Sequence, residues 1–74
     1  MTRLPTLSAR KIIQALEKAG FVLQRQRGSH YQMKHPEKNL RTTVPVHGDD
    51  VKRGLLKLIL KQAGLTEDEF QKLL

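Results

Sequence analysis

The hydrophobic period of this chain changes twice along its length, and that pattern limits the folds open to it. From Leu7 to Phe21 apolar residues recur at helical spacing. Between Phe21 and Val46 three short runs suit strands, and from Val51 onward the helical spacing returns. At 74 residues there is room for one hydrophobic core, so residues 1–74 form a single domain in which helices and strands share that core.

The ends of the first helix are written in the sequence. Ser8 suits an N-cap, and Leu7 with Ile12 has the spacing of a hydrophobic staple. Ile12, Ile13, Leu16 and Ala19 form an apolar stripe; Gly20 suits the left-handed position after the helix, with Phe21 folding back on Leu16. The run FVLQRQ then starts apolar and turns polar, and Arg27-Gly28-Ser29 supplies a turn. In HYQMKH, Tyr31 and Met33 face one way and His30, Gln32 and Lys34 the other. LRTTVPV places Leu40, Thr42, Val44 and Val46 on one face, and Pro45 puts this strand at an edge or at its own end.

The second helical stretch carries Leu55, Leu56, Leu58, Ile59, Leu60 and Ala63 as the main core helix. Asp49 or Asp50 is available to cap it, and Gly54 suits a position near its start. Gly64 and Leu65 repeat the glycine stop and fold-back, and Thr66 with Glu69 has capping-box spacing for a short last helix. The expected fold class is α+β, in the order αβββα plus a short C-terminal helix. A three-stranded antiparallel sheet is covered by helices on one face and open to water on the other. His30, Gln32 and Lys34 belong to the open face, with the first-strand positions that alternate with Phe21 and Leu23.

Charge points to a partner. Lys plus Arg number 14 against 7 Asp plus Glu, giving a net charge of +7. Residues 1–53 hold eleven basic and four acidic side chains, so the excess lies in the first two-thirds of the chain. Such a basic face favours phosphate polyanions. With no cysteine, neither a disulfide nor a thiolate metal cage is available. No run approaches the ~20 apolar residues of a membrane span, and no signal-peptide pattern opens the chain. The expectation is a soluble, cytoplasmic domain without membrane contact.

The three histidines, His30, His35 and His47, make a weak metal set. His30 and His35 fall on opposite faces of an extended strand, and Glu17, Glu37, Asp49 and Asp50 do not complete a ligand group by spacing. Neither a metal nor a small-molecule cofactor is expected. There is no cysteine nucleophile and no serine in a strand-to-helix elbow. What remains is an imidazole on a cationic surface. RNA carries its own nucleophile in the 2′-OH, so one base and cations to hold the phosphate suffice for strand cleavage. His30 has Arg25, Arg27 and Lys34 near it in sequence.

The segments IIQALEKAGF, RGSHYQMKHP, TVPVH and GLLKLILKQAGL, in this order and spacing, resemble the HicA family of bacterial mRNA interferase toxins. The resemblance covers nearly the whole chain. It implies a double-stranded-RNA-binding-domain-like fold and metal-independent endoribonuclease cleavage of mRNA. It also implies neutralisation by a HicB-type antitoxin that covers the active face. The family's catalytic histidine is that of the Gly-Ser-His triplet, here Gly28, Ser29 and His30. The chain departs from the family pattern at Tyr31, where a second histidine is frequent, and at Leu55, where threonine is common.

The expected site is therefore His30 as catalytic base, with Arg25, Arg27, Gly28, Ser29 and Lys34 binding RNA. Two alternatives stand beside it. A non-catalytic double-stranded-RNA-binding module would bind by shape and 2′-OH contacts and would not need His30. A protein-interaction domain would turn its basic face to an acidic protein.

Overall fold

The computed structural model describes residues 6–46, 48 and 50–74. The elements are α1 (Ala9–Lys18), β1 (Val22–Arg27), β2 (His30–His35), β3 (Leu40–Pro45), α2 (Arg53–Ala63) and α3 (Glu67–Leu73). The strands form one antiparallel sheet in the order β1-β2-β3. This is the expected α+β arrangement.

Helix α1 starts where its cap predicts. The Ser8 hydroxyl accepts from the Lys11 N–H at 3.3 Å, and the staple residues Leu7 and Ile12 are both in the core. Ala9, Ile12, Ala15 and Leu16 are its buried face. At its end, Gly20 adopts φ +103°, and the N–H groups of Gly20 and Phe21 donate to the carbonyls of Glu17 and Leu16. This pair of bonds is the Schellman stop, and it turns Phe21 into the core. Val51 N–H donates to the Leu7 carbonyl at 2.7 Å, tying the entry of α1 to the segment before α2.

The core lies between one sheet face and the helices. Met33 and Val44 are fully buried, Tyr31 and Leu40 partly, against Ile12, Leu16, Leu56, Ile59 and Leu60. Phe70 of α3 is fully buried and completes the layer. Thr42 is the one core-facing hydroxyl on β3. It lies 2.9 Å from Gln62 Oε1 and 3.4 Å from the Ile59 carbonyl, which fixes α2 against that strand. Among the described residues no buried side-chain nitrogen or oxygen lacks a partner.

His35 ends β2 on the buried face, only 7% exposed. Its Nδ1 accepts from the Lys38 N–H at 3.2 Å, and its ring meets Phe21 edge-on at 5.2 Å between centroids. Its Nε2 lies where a side chain on Gly20 would have to go, 2.7 Å from an added Cβ. The histidine thus locks the β2–β3 turn to the end of α1.

Three expectations change. Leu23 does not join the core; it is 47% exposed, because β1 is an edge strand that runs past the helices. Leu55 and Leu58 are likewise exposed, at 39% and 49%, since α2 buries the stripe of Leu56, Ile59, Leu60 and Ala63 instead. Asp50 does not cap α2: the N-cap is Lys52, with no side-chain cap bond, and Gly54 falls in the first turn. Asp49 and His47 lie outside the described residues.

The last helix has both halves of its capping box. Thr66 N–H donates to Glu69 Oε1 at 2.8 Å, and Glu69 N–H to the Thr66 hydroxyl at 3.1 Å. Hydrogen bonding to the carboxylate, by the Thr66 N–H first and by the Thr66 hydroxyl second, holds the Glu69 carboxyl below its ordinary value of 4.5. A carboxyl depressed by folding contributes fully above its unfolded value and loses that contribution as pH falls through the lowered one. Glu69→Ala is therefore expected to flatten the fall in melting temperature below pH ~4.5, measured against wild type by circular dichroism.

Gly20 and Gly28 both have positive φ, but nothing approaches a Cβ on Gly28 within 4 Å. Gly28→Ala should therefore cost about 1 kcal/mol from backbone strain alone. Gly20→Ala should cost more, roughly 2–4 kcal/mol, because His35 must also leave its packing on Phe21. Urea denaturation of the two variants checks the ranking.

Candidate nucleic-acid interface

Parity along β1 decides which side chains stand beside His30. Simple alternation from Leu23 would turn Arg25 and Arg27 toward the helices and Gln24 and Gln26 toward water. The strand does not alternate simply. Leu23 pairs with Met33 and Arg25 with Gln32, so Gln24 is an extra residue in a β-bulge. A one-residue insertion exchanges the faces of everything after it. Arg25 and Arg27 consequently share the open face with Gln32 and His30.

That face has three cross-strand rows, since directly paired residues project to the same side. Arg27, His30 and Pro45 form the first, Arg25, Gln32 and Thr43 the second, and Val22, Lys34 and Arg41 the third. His30 is exposed and stands directly across from Arg27, with Cβ atoms roughly 5 Å apart by pairing geometry. Lys34 lies four residues along β2, roughly 13 Å from His30.

The Gly28-Ser29 turn sets where β2 begins. Only Gly28 of the pair has positive φ, +54°, the pattern of a type II′ hairpin with glycine at its first central position. The Ser29 carbonyl accepts from the N–H of Val46, and Gln26 Nε2 donates to the Gly28 carbonyl at 3.3 Å. The turn is thus held to the end of β3, and His30 starts from a fixed point.

All six residues singled out from the sequence, Arg25, Arg27, Gly28, Ser29, His30 and Lys34, lie on this face or its hairpin tip. His35, on the opposite face, is buried and structural. Arg41 escaped the sequence reading. It follows Leu40 and precedes Thr42 in an alternating strand, which was signal enough to put it outside. Among the described residues no group of three histidines or carboxylates gathers as a metal site, and no helix is long and apolar enough to cross a membrane.

One open sheet face of this small α+β domain thus carries His30 together with Arg25, Arg27, Lys34 and Arg41. The family model described as the HicA toxin of bacterial toxin-antitoxin systems matches residues 9–65, so the chain belongs to the HicA toxin family. No curated protein matches it significantly. The matched segment runs from the start of α1 past the end of α2 and includes the whole sheet.

Lys34 and Arg41 are direct cross-strand partners, and like charges so placed repel. An anion seated between them turns this repulsion into binding. Arg41→Ala is expected to stabilise the free protein by a few tenths of a kcal/mol at low salt while weakening its hold on a polyanion. Denaturant titration and retention on heparin check the two effects together.

Proposed function

We propose that the chain is the toxin of a type II toxin-antitoxin pair and acts as a metal-independent endoribonuclease on mRNA, with His30 as its catalytic base. The observation that carries this reading is the pairing of His30 with Arg27 on the open cationic face. An exposed imidazole can take a proton at neutral pH, and a guanidinium across the strand can hold the phosphate it acts beside.

The reaction needs little more. His30 removes the proton of a 2′-OH, whose oxygen attacks the adjacent phosphorus. Arg27 and Arg25 offset the negative charge that grows on the non-bridging oxygens. The bond to the 5′-oxygen breaks, and a proton from the imidazolium or from solvent neutralises it. A 2′,3′-cyclic phosphate and a 5′-hydroxyl result. Gly28 and Ser29 let the strand run close to the hairpin tip, and Lys34 holds a phosphate further along. No metal or small-molecule cofactor enters, because the nucleophile belongs to RNA and the base to His30.

The setting is the cytoplasm, where mRNA lies. A HicB-type antitoxin would neutralise the toxin by covering this same face, and bound antitoxin would raise its stability by mass action.

The test is cleavage of end-labelled single-stranded RNA in excess EDTA. His30→Ala is expected to slow cleavage by about 10²- to 10⁴-fold while leaving RNA binding largely in place. Equal cleavage by wild type and variant would assign the chemistry to another group. Equal binding with no cleavage by either would favour the non-catalytic binding module.

A further inference from the structure

Beside His30 the open face runs into a cleft of about 300 Å³ at the β3 edge, where Thr43, Pro45, Leu55, Leu58 and Gln62 join it. Two features of this cleft bear on a ligand. Leu55 and Leu58 are exposed although their neighbours on α2 supply the core. Gln62 is exposed as well, yet its amide is not free to turn. Thr42, itself buried, donates to Gln62 Oε1 at 2.9 Å across from β3. Thr42 takes one lone pair of Oε1 and so fixes which way the amide points, with its two N–H donors available to a ligand.

Apolar walls with one or two oriented polar groups are the usual construction of a small-molecule subsite. At the lower end of such volumes, the cleft takes a single planar group rather than a helix or a strand. The group must also belong to something that brings a phosphate to His30 and Arg27. On an RNA strand, the base attached to the reacting ribose or to its neighbour is the moiety within that reach. Unpaired bases are read in this way, splayed from the strand, packed between side chains and hydrogen-bonded at an edge.

We propose that this cleft holds the unpaired base next to the scissile phosphate, and that Gln62, oriented by Thr42, determines base preference. Two donors on one nitrogen favour an edge with two adjacent acceptors, such as O6 and N7 of guanine or O2 and N3 of cytosine. Leu55, Leu58 and Pro45 supply the apolar walls, and the Thr43 hydroxyl completes the rim. The proposal rests on RNA being the ligand of the open face, but not on its being cut.

The experiment therefore reads binding and cleavage separately. Full-length His30→Ala protein is used to select from a randomised single-stranded RNA pool, alone and combined with Gln62→Met or Gln62→Glu. Gln62→Glu keeps an acceptor for Thr42 while removing both donors, so it guards against a loss that comes only from α2 shifting; thermal melts confirm that each variant folds. Expected is enrichment of guanine or cytosine at one position, falling by about fivefold or more in both Gln62 variants, as for loss of one hydrogen bond. The cleavage sites of the protein with His30 intact should show the same preference. An unchanged base profile in both variants, or no base preference at all, overturns the proposal and leaves the cleft to a protein partner. If the wild type does not cleave but the pool preference depends on Gln62, the nuclease reading fails and the base subsite stands.

Discussion

A sheet with helices on one side only has a single dry face, and everything this protein does follows from which residues are kept off it. Met33, Thr42 and Val44 go inward against α1 and α2; their sequence neighbours are forced outward. Along β2 and β3 that rule alone puts His30, Gln32, Lys34, Arg41 and Thr43 into water. Along β1 it needs the extra residue at Gln24, without which Arg25 and Arg27 would point at the helices. The cationic face is thus the by-product of a packing constraint, corrected at one position by a bulge.

The same constraint explains how much was legible beforehand. The caps of α1 and α3, the glycine stops and the alternation of β2 and β3 are local patterns, and each appears where its residues put it. The hairpin at Gly28-Ser29 was equally local. What escaped depends on the tertiary arrangement. An apolar residue such as Leu23 reads as core until it is known that β1 is an edge beyond the reach of the helices. A helix with six apolar residues shows two overlapping stripes, and only the partner strand decides that Leu55 and Leu58 stay outside. The bulge has no strong sequence mark, since glutamine at position 24 carries no special backbone preference.

The site was legible in composition and only partly in position. Gly28-Ser29-His30 and the nearby arginines stand together in sequence, whereas Arg41, Thr43 and Gln62 arrive from β3 and α2. Gln62 in particular has a plain helical context, and its role depends on the buried hydroxyl of Thr42, twenty residues earlier in the chain. Orientation of a polar side chain by a partner from another element cannot be read from spacing.

The free side of β1 carries one more consequence. An edge strand with two exposed aliphatic residues is an invitation to pair with another copy of itself, the first step toward aggregation. Arg25 and Arg27 follow Val22 and Leu23 in the same strand and act there as gatekeepers, because stacking two such edges would bring like charges together. Two demands, colloidal solubility and the proposed contact with RNA, therefore fall on the same two guanidinium groups. Removing either for the sake of one property exposes the chain to the failure of the other.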